Sequence, residues 1–264
     1  MAAPQLIALL TDFGTRDWYV AALKGVLMSH SPEARLVDVT HDIPPQDVLA
    51  GAFILAAAAS WFPPKTVFLA VVDPGVGGER ALLAVQTEHH YFIGPDNGLL
   101  APSVEQAKRR KIRQLTNRQL WLPQVSATFH GRDIMAPVAA YLAKGGAFDR
   151  VGVLANRMVT LRLPAVQRAG RVMRGQVIHI DTFGNLVTNI SAASTAVRTR
   201  GSWVVRYKDR KARVVPSYAG GGPEELVAVA GSCGFIELAI REGSAAWALN
   251  AKRGDEVTLV MKGR

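Results

Sequence analysis

Charged and polar residues follow three apolar runs in the first part of the chain, in loops that could support ligand binding or catalysis. The loops begin at Asp12, Thr40 and Asp73, where the apolar runs end. Ligands of open α/β sheets bind beyond the carboxyl ends of the strands, so these loops are candidates by position. One carboxylate can accept hydrogen bonds from two hydroxyls, so Asp12 could bind both hydroxyls of a ribose. The alternative is that Asp12 only caps the turn that follows it.

The third loop, Asp73-Pro-Gly-Val-Gly-Gly-Glu-Arg80, combines a carboxylate, a guanidinium and three glycines. Glycines allow the backbone of a loop to approach a ligand closely. A phosphate-binding P-loop would end in Lys followed by Ser or Thr, and this loop does not. A ligand-binding loop and a capped tight turn are both consistent with the pattern.

His130 is the histidine whose surroundings are best suited to catalysis. It precedes a glycine and lies just before a predicted helix over residues 134–144, for which Asp133 is the expected N-cap. The adjacent His89 and His90 fall at a predicted hairpin turn, and we expect them to face solvent. Neighbouring histidines point in different directions, and Cys233 is the only cysteine, so the sequence predicts no metal site.

In the second part of the chain, Asp181, Phe183 and Asn185 place a carboxylate, an aromatic ring and an amide within five residues. This set suits an adenine together with a cationic amine. It equally suits a plain hairpin turn, because Asp, Gly and Asn are common turn residues.

The elements that carry these residues change in character along the chain. Residues 1–164 alternate strand-like and helix-like patterns, which predicts an α/β domain with a mostly parallel sheet sandwiched by helices. Residues 165–264 contain short strand-like runs separated by glycine, proline and charge, which predicts a C-terminal antiparallel β domain.

Charge and hydropathy limit the possible partners and locations. The net charge is +10, and residues 165–264 hold most of the excess, with 15 basic and 8 acidic side chains. The basic residues are spread over both parts and no nucleic-acid motif accompanies them, so we expect no specific nucleic-acid site. We also expect a cytoplasmic protein without membrane contact, since no leader is visible and the longest apolar run is shorter than the ~20 residues that span a bilayer.

Six ordered motifs across both parts together resemble the S-adenosylmethionine (SAM) hydroxide adenosyltransferase family, the hydrolase relatives of the fluorinase and chlorinase enzymes. The resemblance extends from about Leu6 to Val260. The motifs cover residues 10–17, 39–45, 71–77, 94–100, 129–133 and 181–185.

This resemblance implies that the chain hydrolyses SAM by nucleophilic substitution at C5′, with water or hydroxide as the nucleophile, giving adenosine and L-methionine without a cofactor. In the hydrolases an aspartate, an arginine and a histidine hold the water, and the matching residues are Asp73, Arg80 and His130. The resemblance also implies a homotrimer whose active sites lie between subunits. The positions that match substrate-binding residues are Asp12, Asp73, Asp181, Phe183, Asn185, Ser232 and Glu237.

Two departures and two alternative functions accompany this interpretation. Arg241 stands where relatives usually have asparagine, and Cys233 stands where the fluorinase has arginine, which affects the expected contacts with methionine and the base. One alternative is a halide-using adenosyl transferase, against which Asp73 and His130 argue because a carboxylate repels a halide. The other is a non-catalytic SAM- or nucleic-acid-binding module, supported only by the basic second part.

Overall fold

The computed structural model describes residues 6–105, 107–161, 164–193 and 203–261. The chain divides into two compact units, residues 1–161 and residues 162–264, which are described separately. No helix in the described ranges is long and apolar enough to cross a membrane.

Unit 1 contains one seven-stranded sheet. Its spatial order is β2-β1-β3-β5-β4-β6-β7, in which the pairs along β2-β1-β3-β5 are parallel and the remaining pairs are antiparallel. The carboxyl ends of the parallel strands β1 and β3 therefore open onto the same edge, as the sequence predicted. The strands are β1 (Leu6–Thr11), β2 (Arg35–Thr40), β3 (Val67–Val71), β4 (Leu82–Thr87), β5 (Tyr91–Pro95), β6 (Arg110–Gln114) and β7 (Val153–Ala155).

Helices cover both faces of this sheet, which confirms the predicted architecture. Helices α1 and α4 pack against the cluster that includes Leu9 and Leu69, whereas α2 and α3 pack against the cluster that includes Leu10 and Phe68. These neighbouring strand residues alternate between the two faces because side chains along a strand point to opposite sides. The helices are α1 (Tyr19–His30), α2 (Val48–Ala59), α3 (Ala101–Val104) and α4 (Ala136–Ala143).

Two local expectations for unit 1 were wrong. Asp133 does not cap α4, because a π-helical turn over Gly131–Met135 precedes that helix and includes the aspartate. Its fully buried carboxylate instead accepts hydrogen bonds from the Ser126 backbone N–H at 2.8 Å and from the Arg132 side chain. His90 is half-buried rather than solvent-facing, and its ring meets the edges of neighbouring phenylalanines.

Unit 2 is an antiparallel barrel-like sheet, which confirms the predicted class. The order is β10-β14-β13-β12-β11-β15-β9-β8, and a further β9–β10 pairing closes the ring. Only the β12–β13 pair among the described strands is parallel. The strands are β8 (Gln167–Ala169), β9 (Val172–Ile180), β10 (Leu186–Ser191), β11 (Trp203–Tyr207), β12 (Arg210–Val214), β13 (Leu226–Ala230), β14 (Phe235–Ile240) and β15 (Glu256–Met261), with one short helix α5 (Ala245–Ala248).

Candidate active site

Three predicted site residues of unit 1 line one pocket of about 470 Å³. Asp12 follows β1, Asp73 follows β3, and His130 lies immediately before the π-helical turn. π-helical turns are rare and often occur at functional sites. The pocket thus lies at the edge of the sheet where the sequence predicted that the loops would meet.

Asp73 and Arg80 form a nearly buried ion pair within a single loop. Arg80 Nε donates to Asp73 Oδ1 at 2.8 Å and to Oδ2 at 3.0 Å, and Nη2 also donates to Oδ2. The side chains are only 5% and 11% exposed, respectively. Since the planar guanidinium presents its donors in a fixed fork, this contact sets the orientation of both groups.

Arg80 also contacts the third member of the set. Its Nη2 lies 3.0 Å from His130 Nδ1, which joins residues fifty positions apart in the sequence. Arginine has no acceptor, so Nδ1 must accept this hydrogen bond and a neutral ring carries its proton on Nε2. Burial and the neighbouring Arg80 charge lower the pKa of His130, although Asp73 and Asp133 act in the opposite direction. The imidazole is therefore neutral at physiological pH.

Asp12 connects two of the loops instead of capping its own turn. Its Oδ2 accepts a hydrogen bond from the Gln46 backbone N–H at 2.8 Å, and Gln46 has a left-handed φ of 66°. Burial raises the pKa of Asp12, and the nearby Asp73 charge raises it further, while the backbone hydrogen bonds lower it. The Asp12 carboxylate keeps free acceptor capacity toward the pocket that it lines.

Aromatic side chains form a wall of the pocket that the sequence reasoning did not identify. Phe129 meets the rings of Phe13, Trp18 and Tyr19 edge-on, with centroid distances of 5.4–5.8 Å. Trp18 and Tyr19 stack on each other and remain 58% and 41% exposed. Exposed aromatic rings beside two carboxylates suit a ligand with an apolar or cationic part. Their position directly after the Asp12 loop was the available signal in the sequence.

Unit 2 has a pocket that brings together the predicted residues of that part, with a volume of about 770 Å³. Asp181 shapes the β9–β10 hairpin, because its Oδ1 accepts hydrogen bonds from the backbone N–H groups of Phe183 and Asn185. Its Oδ2 accepts one from Asn185 Nδ2 at 2.9 Å. The segment is thus a hairpin turn and a pocket wall at once, and Phe183 is exposed.

Glu237 is the buried charge of the same pocket, at 5% exposure. It accepts hydrogen bonds from Tyr218 Oη at 2.7 Å and from Cys233 Sγ at 3.5 Å. No lysine or arginine in the described ranges forms an ion pair with it. Ser232 and Arg241 also line this pocket. Tyr218 also lines this pocket, and no local sequence pattern pointed to it.

The described residues contain no group of three or more His, Cys, Asp or Glu side chains arranged to hold a metal ion. In unit 1, Asp73, Arg80 and His130 supply a fixed carboxylate, a permanent cation and a neutral imidazole. Such a set can orient a small nucleophile beside an organic substrate.

Comparison with known proteins gives concordant matches in both units. Residues 7–152 match the SAM hydroxide adenosyltransferase N-terminal domain, and residues 175–258 match the corresponding C-terminal domain. An (R)-S-adenosyl-L-methionine hydrolase of Salinispora tropica is 38% identical over 97% of this chain and 98% of the relative. A fluorinase of an Actinoplanes species is 27% identical over 96% of this chain and 97% of the relative.

A solved structure of a conserved protein from Thermotoga maritima has the same fold. It is 36% identical to this chain with a TM-score of 0.91, covering 96% of this chain and 99% of that one. Because both domain matches and the full-length relatives agree, the chain belongs to the SAM hydroxide adenosyltransferase family.

Proposed function

We propose that this protein hydrolyses S-adenosyl-L-methionine at C5′, giving adenosine and L-methionine. The observation that carries the proposal is the contact of Arg80 with both Asp73 and His130 beside the unit 1 pocket. The hydrolase name of the Salinispora tropica relative supports the same reaction.

The reaction is a substitution with a good leaving group. The water oxygen forms a bond to C5′ while the C5′–S bond breaks, and its electron pair remains on sulfur as the neutral thioether of methionine. A proton leaves the attacking oxygen during or after this step. Because the leaving group needs no protonation, the enzyme must chiefly align and activate the water.

The contacts among Asp73, Arg80 and His130 support a distinct part for each residue around that water. Arg80 stabilises developing hydroxide character, since it stays protonated at any working pH. His130 Nδ1 accepts from Arg80, so its Nε2–H is the group that can donate to the water and orient it. Asp73 is the carboxylate that accepts the proton, because Oδ1 has only one hydrogen bond from Arg80 and retains a free lone pair. No step in this scheme requires a metal or a cofactor.

Substrate recognition follows from the remaining residues. Asp12 accepts hydrogen bonds from the ribose hydroxyls, and the aromatic wall packs against the substrate. In unit 2, Asn185 binds the adenine, while Asp181 and Glu237 attract the ammonium group of the methionyl part. Phe183 and Ser232 contact the base and the methionyl part.

The halide-using alternative is disfavoured by charge. Asp73 is an anionic side chain in the pocket and would repel a halide at the position that the water must occupy. The fluorinase relative is similar over nearly the whole chain, but at lower identity than the hydrolase of Salinispora tropica. A homotrimer with active sites between subunits and a cytoplasmic location stay predictions, and light scattering of the pure protein tests the trimer.

One incubation tests the proposal directly. The purified protein is mixed with SAM, and the products are separated by chromatography with and without added chloride or fluoride. We expect adenosine and methionine in equal amounts at a rate independent of halide. A halogenated nucleoside would establish the halogenase alternative, and SAM binding without any product would establish a non-catalytic module. An Asp73→Ala variant purified in parallel controls for contaminating activity.

A further inference from the structure

A second buried polar network lies directly behind Asp12. Thr11 Oγ1 and His41 Nδ1 are 2.8 Å apart, and both residues are almost fully buried, at 0% and 4% exposure. His41 Nε2 approaches Asp38 Oδ1 to 3.1 Å in an off-axis geometry, and Asp38 is also bound by Lys24 Nζ at 2.6 Å. Buried polar side chains are costly unless they are paired, so the Thr11–His41 contact is a specific arrangement, whereas the Lys24–Asp38 pair lies at the surface.

A β-bulge creates the arrangement. The parallel pairing of β1 with β2 runs from Leu6 to Leu9 in regular register, and then Leu10 pairs with Thr40 so that Val39 is left out. An extra residue of this kind bends its strand and re-aims the side chains that follow. The bulge precedes His41 by two positions, and the His41 ring lies against Thr11 at the end of β1.

Two further contacts connect the network to the Asp12 loop. The His41 carbonyl oxygen accepts a hydrogen bond from the Gly14 backbone N–H at 2.8 Å. Thr11 Oγ1 also accepts a hydrogen bond from the Phe13 backbone N–H at 3.3 Å. Thr11 precedes Asp12 and contacts His41, whereas Phe13 and Gly14 follow Asp12 and bind Thr11 and His41, respectively. Its own carboxylate is fixed to Gln46, five residues after His41.

We propose that His41 is a positioning residue that holds Asp12 in the orientation needed for the ribose hydroxyls. It does not line the unit 1 pocket; its side chain acts through Thr11, and its backbone carbonyl holds Gly14. The inference rests on the proposed function, because it takes Asp12 as the ribose ligand. Its consequence is that the network matters for nucleoside affinity and not for the attack on C5′.

The competing explanation is that the network only stabilises the fold. Both explanations predict a lower melting temperature for His41→Ala, so stability alone does not separate them. Only positioning predicts that the effect on substrate disappears once the Asp12 carboxylate has been removed. This distinction calls for a double-mutant cycle between His41 and Asp12.

The experiment measures kcat and KM for SAM, and the Kd for adenosine by calorimetry, in His41→Ala, Asp12→Ala and the double variant. We expect His41→Ala to raise KM and the adenosine Kd about tenfold with little change in kcat, which is the size of one lost buried hydrogen bond. In the Asp12→Ala background, His41→Ala should raise KM and the adenosine Kd by less than about twofold. Additive effects in the two backgrounds would overturn the proposal.

Conservative and matched variants keep the test valid if His41→Ala folds poorly. His41→Asn can retain an acceptor near Nδ1, so it should keep much of the affinity that His41→Ala loses. Thr11→Ser retains the hydroxyl, so it should keep much of the affinity that Thr11→Val loses. Thr66→Val is the control, because Thr66 is equally buried and its hydroxyl donates to the Pro63 carbonyl, but it lies before β3 at the opposite end of the sheet. A Thr66→Val effect on KM equal to that of Thr11→Val would contradict the proposal.

The adenosine measurement also separates this inference from the proposed reaction. A wild-type protein that binds adenosine but releases none from SAM refutes hydrolysis, while the cycle on adenosine affinity still decides the role of His41. Full hydrolytic activity with an additive cycle refutes only the positioning role.

Discussion

Arg80 Nη2 lies 3.0 Å from His130 Nδ1, and the Nε and Nη2 atoms of the same side chain donate hydrogen bonds to Asp73. One guanidinium therefore fixes the direction of a carboxylate and the tautomer of an imidazole. The three groups come from two loops that are far apart in the sequence, so their function depends on the fold holding both loops.

The first prediction concerns pH. Burial and the Arg80 charge place the pKa of His130 below its usual value of about 6.5, so the ring is neutral at neutral pH. Protonation of Nδ1 would set two cations against each other and remove the acceptor for Arg80. We expect kcat/KM to be level near neutral pH and to fall as pH decreases through the lowered His130 pKa. A pH–rate profile at saturating and limiting SAM measures this.

Asp12 requires a control in that experiment, because burial raises its pKa and it also gains a proton on the acidic side. An Asp12→Asn variant removes this ionisation, and the fall of kcat/KM that His130 causes at acidic pH (the His130 limb) should remain in its pH–rate profile. The pH–rate profile of the residual activity of His130→Ala should lack the His130 limb. If the fall at acidic pH persists unchanged in His130→Ala, it is caused by the titration of another group.

The second prediction concerns cooperation within the set. If Asp73, Arg80 and His130 act on one water molecule, Asp73→Ala and His130→Ala should each remove most of the turnover. The double variant should then lose little more turnover than either single variant, because residues acting as a unit give non-additive losses. Turnover and SAM affinity are measured for all three proteins, and affinity should change far less than turnover. Near-normal turnover in either single variant would exclude the mechanism.

The third prediction concerns the shape of the cation at position 80. Arg80→Lys keeps the charge but cannot bond to Asp73 Oδ1, Asp73 Oδ2 and His130 Nδ1 from one rigid plane. We expect a loss in kcat of at least about tenfold, with KM nearly unchanged, from the lost orientation. Steady-state kinetics measure both constants, and a lysine variant with full kcat would show that charge alone suffices.

The fourth prediction concerns the basic excess. Arg206, Arg210 and Lys211 belong to the basic run of unit 2, and the second part of the chain holds most of the net charge of +10. We expect only weak, non-specific binding to nucleic acid that disappears as salt rises to physiological values, because such binding depends on counterion release. Fluorescence anisotropy with single-stranded and duplex oligonucleotides tests this. Tight binding that persists at physiological salt would contradict it.

Much of the fold could be predicted because local signals agreed with the tertiary structure. The alternating apolar runs identified the sheet of unit 1, and at the start of α2 the side chain of Asp47 accepts a hydrogen bond from the Ala50 N–H at 3.0 Å, as is typical of an aspartate before a helix. The position of the Asp12 and Asp73 loops followed from the rule for the carboxyl ends of parallel strands. These features depend on periodicity and on residue type, which the sequence contains.

The features that were missed depend on contacts between distant segments. Asp133 looks like an N-cap locally, but its carboxylate is taken by Ser126 and Arg132 and a π-helical turn forms instead. Gln46 reaches Asp12 through its backbone N–H, so its side-chain type carried no signal. The role of Tyr218 depends on a hydrogen bond to Glu237 across unit 2. Sequence periodicity does not encode such pairings.

The last prediction concerns the packing between the two catalytic loops. Gly77 lies in the loop of Asp73 and Arg80, has a φ of +80°, and packs so closely that a Cβ would lie 2.6 Å from the Ala127 carbonyl oxygen. Ala127 belongs to the segment that leads to His130. Gly77→Ala should therefore both strain the backbone and push the Arg80 loop away from His130. We expect a destabilisation of about 1–3 kcal/mol together with a large loss of turnover.

A glycine elsewhere in unit 1 provides the comparison for Gly77→Ala. Gly14 also has a positive φ, of 65°, but a Cβ there would meet no atom within 4 Å. Gly14→Ala should show the strain in thermal melts without the change in loop separation, so its kcat should be affected much less. Melting temperatures and kcat are compared for the two variants. Equal losses of kcat at matched stability would mean that backbone strain, and not the Arg80–His130 distance, limits turnover.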